Sequence, residues 1–173
     1  MNLKKAIVIM LFSALGMNAL NAQENVVKVN PIGLLYGSNL VAYELSLGEK
    51  TSGLIGANYS NYKFDGNNKN KSIGGELQFR YYLKESLKGF YGGALGTYAT
   101  GDTAFVGVKE KFNSFGAGAI LGYQWIWGSG FSLDINAGAE YISINYKNKS
   151  AVNLARKDNG IIPVLGISLG YAF

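Results

Sequence analysis

The chain has 173 residues, a formal net charge of +5 and 16% charged residues, with 24 Gly, 2 Pro and 13% aromatics but neither Cys nor His. Lack of Cys excludes a disulfide framework and a lipidated cysteine; lack of His removes the commonest general base and the commonest transition-metal ligand. The length suits one domain with a sizeable interior, and abundant Tyr and Gly with no long apolar run point to strands, not helices.

The chain opens "MNLKKAIVIMLFSALGMNALNAQ". Lys4 and Lys5 form a basic head, Ala6 to Met17 an apolar core, and Ala22 a small residue before Gln23. This pattern marks residues 1–22 as a cleaved secretory signal peptide. The apolar stretch breaks at Asn18, short of the roughly 20 residues that a spanning helix needs. Loss of the leader takes Lys4 and Lys5 with it and lowers the net charge from +5 to about +3.

Residues 23–173 divide into eight strand-like segments separated by turn chemistry. They are Val26 to Tyr36, Leu40 to Leu47, Ser52 to Phe64, Ser72 to Leu83, Gly89 to about Thr100, Phe112 to Trp127, Phe131 to Tyr146, and the closing "GIIPVLGISLGYAF". The second, fourth and sixth connections are short ("GEKTS", "KESLK", "GSG"), whereas the third, fifth and seventh are long and rich in Lys, Asn, Asp and Gly. Sorting of loops by parity predicts an all-β, eight-stranded, antiparallel up-and-down transmembrane β-barrel, with brief periplasmic turns and long outer loops.

Alternation within the strands supports this expectation. The fourth segment sets Ile73, Leu77, Phe79, Tyr81 and Leu83 on one face and Glu76, Gln78, Arg80 and Tyr82 on the other. The sixth sets Phe115, Leu121, Tyr123, Trp125 and Trp127 against Gly116, Gly118, Gly122 and Gln124, and the seventh sets Phe131, Leu133 and Ile135 against Asp134, Asn136 and Glu140. Every charge in these patterned stretches falls on the second face. A soluble barrel would reverse this, burying the Trp-rich face and exposing the charges. Aromatics gather at the strand ends, as interfacial girdles require. Tyr81, Trp125, Trp127, Phe131, Tyr171 and Phe173 are expected at the periplasmic rim, and Tyr59, Tyr62, Phe64, Phe112, Phe115, Tyr141 and Tyr146 at the outer one.

The final strand, ending "LGYAF" with Phe at the carboxyl terminus, resembles the signal read by the barrel assembly machinery of the outer membrane, carried here by Tyr171 and Phe173. The region after the leader is similar to small eight-stranded outer-membrane barrels of the OmpA, OmpX and OmpW type. Its first hairpin, "KVNPIGLLYGSNLVAYELSLGEKTS", also resembles a small-barrel family of unassigned function. These resemblances imply a porin-like wall in a Gram-negative cell envelope, with outer-membrane lipid and the assembly machinery as partners. The OmpW likeness implies, as the alternative, a narrow channel for a small or hydrophobic solute.

An eight-stranded barrel is just wide enough for its own side chains. Lys28, Glu44, Glu76, Arg80, Asp134 and Glu140 are expected to form a polar network in the lumen. Arg80 is the expected hub, because its planar fork can hold two carboxylates, with Lys28 as auxiliary. Carboxylates outnumber cations in this set, so one is expected to be protonated or hydrated. The loops carry Lys63, Lys69, Lys71, Lys109, Lys111, Lys147, Lys149, Arg156 and Lys157 against Asp65, Asp102, Glu110 and Asp158, a balance that suits an anionic surface ligand. The enzymes that share this architecture work through a catalytic His, and no Ser/Lys or paired-carboxylate motif takes its place. The chain is therefore expected to be a structural or surface-interaction barrel, not an enzyme, with no cofactor, metal or nucleic acid.

Overall fold

A computed structural model describes residues 24–35, 38–64, 68–105, 108–146 and 157–173. The segment read as the leader, 1–22, lies outside them. The elements are β1 (Asn25–Val29), α1 (Pro31–Leu35), β2 (Ser38–Gly48), β3 (Thr51–Phe64), β4 (Asn68–Tyr82), β5 (Gly89–Phe105), β6 (Val108–Ile126), β7 (Phe131–Tyr146) and β8 (Lys157–Ala172). The eight strands form a closed ring in chain order, each antiparallel to its neighbours. Both β1 and the end of β8 lie at one end of the ring, with the short β2–β3, β4–β5 and β6–β7 connections. This is the turn end; the opposite one is the loop end.

The ring closes through β1 against β8, with Val26 opposite Ala172 and Val29 opposite Leu169. Reciprocal bonds finish the seam: Asn25 N–H donates to Phe173 O at 3.1 Å, and Phe173 N–H donates to Asn25 O at 2.9 Å. The first strand is shorter than its composition suggests. It stops at Val29, and Pro31–Leu35 turns into a helix. The cause is local. Asn30 Oδ1 accepts from Gly33 N–H at 2.9 Å, an N-cap, and Pro31 occupies the first helical position, where its missing N–H costs nothing.

At the loop end the strands are longer than their composition suggests. The β3–β4 ladder continues to Phe64 opposite Asn68, and the β5–β6 ladder to Phe105 opposite Val108. Residues 68–71, 101–105 and 108–111, read as loop, belong to strands. Polar composition hid them: a ribbon whose register is already set by the barrel beneath it needs no apolar face of its own.

The two faces are opposite in polarity. Leu165 is 83% exposed and Leu121 73%, whereas Glu44 and Gln124 are 0% exposed. In β5, where aromatics occur at both parities, Tyr91 and Leu95 point inward and Phe90 and Tyr98 outward. The turn end is plugged by Val26, Leu87 and Ala172 with Ile126 packed against them. Leu87 comes from the β4–β5 connection and holds a left-handed backbone, φ 68°, uncommon for a bulky residue. Further in, Tyr82, Tyr91, Leu95 and Ile120 pack together with Val164.

Inward glycines make room for the large inward side chains. A Cβ at Gly122 would stand 2.5 Å from the Tyr91 ring, and one at Gly170 would stand 3.2 Å from Lys28 Cγ. Small residues on the inner face of β6 and β8 thus mark where a neighbouring strand sends a long chain across the lumen. Gly122→Val is expected to destabilise the barrel by about 1–3 kcal/mol through overpacking against Tyr91. Urea unfolding followed by tryptophan fluorescence measures it, and an unshifted midpoint would show that Tyr91 can move aside.

Candidate functional site in the barrel interior

The lower lumen holds four charged side chains from four strands: Lys28 on β1, Glu44 on β2, Arg80 on β4 and Asp134 on β7. Alternation turns each inward, and all four are buried, at 2, 0, 2 and 1% exposure. Lys28 Nζ lies 2.5 Å from Glu44 Oε2 and 2.6 Å from Asp134 Oδ2. Arg80 Nη1 lies 3.2 Å from the same Glu44 oxygen and 2.6 Å from the same Asp134 oxygen. Two cations thus share two carboxylate oxygens in a ring of four ion pairs. Arg80 holds both carboxylates, as expected of a hub, and Lys28 makes the same two pairs.

Neutral groups complete the shell. The second oxygen of Glu44, Oε1, accepts from Ser52 Oγ at 2.5 Å and from the Tyr82 hydroxyl at 2.7 Å. Asp134 Oδ1 accepts from the Tyr91 hydroxyl at 2.8 Å. Gln124 Oε1 accepts from Lys28 Nζ at 2.5 Å and from Arg80 Nη1 at 3.3 Å. The Arg80 guanidinium also stands over the Tyr91 ring, 4.4 Å from its centroid, a cation–π contact. Among the described residues, Gln124 Nε2 and Ser132 Oγ are buried polar atoms with no partner.

Not all six expected network residues meet. Arg80 Nε donates to Gln78 Oε1 at 2.8 Å, and Gln78 Nε2 donates to Glu76 Oε1 at 3.1 Å, so Glu76 joins through an amide relay. Glu140 stands apart and accepts from the Thr97 hydroxyl. The carboxylates in excess of cations therefore take neutral donors. Tyr82, Tyr91, Ser52 and Gln124 complete the set. Tyr82 and Gln124 were readable from alternation, whereas the facing of Tyr91 needed the β5 register.

The ring is balanced, two positive against two negative, and the buried carboxylate oxygens are hydrogen-bonded. Burial of four ions is expensive, and such a cluster is tolerated only when each charge is compensated and each lone pair occupied. Its chemical capacity is mechanical: seven strands, β1 to β7, are tied together across the lumen by these bonds. Among the described residues, no group of three or more His, Cys, Asp or Glu side chains is placed to hold a metal ion.

The outer wall carries the aromatic set. Tyr81, Trp125, Trp127 and Phe131 are 51, 36, 44 and 44% exposed. The Trp127 and Phe131 rings stack at 5.3 Å, and those of Tyr123 and Trp125 meet at 4.3 Å. Tyr171 pairs with Phe131 across the β7–β8 ladder and is half-buried, as is Phe173. At the loop end, Tyr98 and Phe115 meet at 4.8 Å and Tyr141 is 49% exposed. Phe112 and Tyr146, expected in that outer ring, have the parity of inward residues such as Ser114 and Glu140.

The chain belongs to the family described as protein of unknown function (DUF3575), whose model matches residues 7–173. No curated protein and no solved structure matches it.

Removal of one cation leaves a buried carboxylate uncompensated. Lys28→Met is therefore expected to cost about 3–5 kcal/mol of unfolding free energy, as much as Arg80→Met. Urea unfolding of both variants tests the equivalence. A Lys28 effect below about 1 kcal/mol, the range of an exposed pair, would leave Arg80 as sole hub.

Proposed function

We propose that this family member is an integral outer-membrane β-barrel, exported by its signal peptide, whose lumen is locked and whose work is done on its outer surfaces. The observation that carries the reading is the inverted polarity of the ring. Charges are at most 6% exposed inside at Lys28, Glu44, Arg80, Asp134 and Glu140, while Leu, Ile, Phe and Trp cover the outside. In water that arrangement exposes an apolar belt all round the ring, far beyond the isolated patches of soluble monomers. In hydrocarbon it is the low-energy one.

The dimensions agree. On β6 the outward aromatics bound the belt at Trp125 and Phe115, and about ten residues at 3.3 Å each, tilted by about 40°, cover about 25 Å of membrane normal. Trp, Tyr and Phe at the two margins suit the headgroup layers. The closed ring supports the likeness to OmpA- and OmpX-type barrels. The reading of Tyr171 and Phe173 as an assembly signal fits their position at the seam, Tyr171 in β8 and Phe173 just beyond it, bonded to Asn25.

With no His and a lumen occupied by mutually paired charges, the chain is read as a structural or surface-interaction protein, not an enzyme. The alternative is a narrow OmpW-like channel. It would need the Lys28–Glu44–Arg80–Asp134 ring to part and Leu87 to leave the turn end. Planar-bilayer recording of the refolded protein separates the two. The locked barrel predicts a silent trace, and steady, reproducible openings of the unmodified chain would replace it with the channel.

A further inference from the structure

A second charged cluster lies outside the ring, on the outward face of β3–β6 just beyond the aromatic row at the loop end. Register sets Lys71, Asp102 and Lys111 side by side on β4, β5 and β6. The next row toward the turn end is Tyr59, Ile73, Thr100 and Asn113. These residues line an open depression of about 470 Å³ in the wall. Two strand spacings of about 4.8 Å put the Lys71 and Lys111 Cα atoms about 10 Å apart, so that their long stems can converge on one anion. Both lysines are exposed, and neither makes an ion pair within 4 Å among the described residues.

Below this charged row the wall changes character. The Tyr98 and Phe115 rings meet at 4.8 Å. Beside and beneath them the outward positions are small: Gly75 on β4, Gly96 on β5, and Ala117 and Ala119 on β6. The result is a basic recess above and a shallow, side-chain-poor strip below, joined on one face. A free anion would use only the upper half. A molecule with a phosphate at one end and a hydrocarbon chain at the other uses both.

We propose that this face holds an anionic phospholipid. Its phosphate sits between Lys71 and Lys111, the polar side chains of Thr100 and Asn113 line the seat, and an acyl chain lies along Gly96 and Ala117. The proposal rests on the membrane reading and names the partner of its outer surface. Asp102, between the two lysines, weakens the local positive potential. It sets the affinity at a level that allows exchange with the surrounding lipid, so its removal strengthens retention.

The test uses the mature chain refolded into phosphatidylcholine vesicles containing a minor share of phosphatidylglycerol, followed by purification and analysis of the lipid that stays bound. Phosphatidylglycerol is expected to be enriched on the unmodified chain. Each of Lys71→Gln and Lys111→Gln should lower that enrichment about fivefold, the usual contribution of a lysine at an anionic surface. Asp102→Asn should raise it, and the Lys71→Arg, Lys111→Arg double variant should preserve it, which separates loss of charge from loss of fold. Equal retention of the two lipids by the unmodified chain would overturn the proposal. So would enrichment unaffected by the two glutamines, or soluble glycerol phosphate stabilising the chain in pure phosphatidylcholine as well as phosphatidylglycerol does. Failure to insert at all, read as absence of the heat-modifiable folded band on a gel, is a different result that removes the membrane reading and this proposal with it.

Discussion

Two cations and two carboxylates share the core of a narrow cylinder, and the rest of the molecule accommodates that fact. Lys28, Glu44, Arg80 and Asp134 come from four strands. Although β1 and β2 can pair Lys28 with Glu44 locally, the ring is completed only when Arg80 on β4 and Asp134 on β7 are brought in. An unpaired buried ion costs several kcal/mol, and a fully paired ring removes that cost only in the closed barrel. The cluster therefore favours closure over any open or partly formed sheet. It also helps to anchor the short β1. Five residues make a weak strand by ladder bonds alone, but β1 delivers Lys28 to both carboxylates, and the ring of charge helps to hold the seam with β8.

Side-chain volume follows from the same constraint. Arg80, Lys28, Tyr82 and Tyr91 are long or bulky and fully or almost fully buried, and the lumen of an eight-stranded ring has little room. Space comes from glycine on facing strands, such as Gly122 opposite the Tyr91 ring. With polar and large residues turned inward, what remains for the outside is apolar. The outer surface is thus the complement of the inner one, which is what the proposed membrane setting requires.

Much of this was legible in the sequence, for a physical reason. A strand has a period of two, so one charge with known facing settles the facing of every residue on that strand. Arg80, Asp134 and Glu44 each sit a few residues from a turn, which places them at a common level before any coordinates exist. Legibility failed where the period failed. β5 carries Phe90, Tyr91 and Tyr98 at both parities, and only pairing of Tyr91 with Tyr82 fixes its facing. Beyond Val29 the run Ile32-Gly33-Leu34-Leu35 reads as more strand, although Asn30-Pro31 just before it is a helix-start signal. In "KESLK" a polar turn conceals Leu87, whose left-handed backbone has no marker in residue type. That Lys28 pairs with both carboxylates was hidden because β1 is too short to show a pattern.

The two tryptophans, Trp125 and Trp127, lie on the outward wall near its turn end and report on its surroundings. The most direct test of the account is quenching of their fluorescence by brominated phospholipids in vesicles of the refolded chain. Bromine placed near the headgroup is predicted to quench strongly, and bromine near the bilayer centre more weakly, because the indoles belong at the interface. Emission indifferent to bromine at either depth would mean that the apolar wall faces something other than hydrocarbon, and would contradict the account.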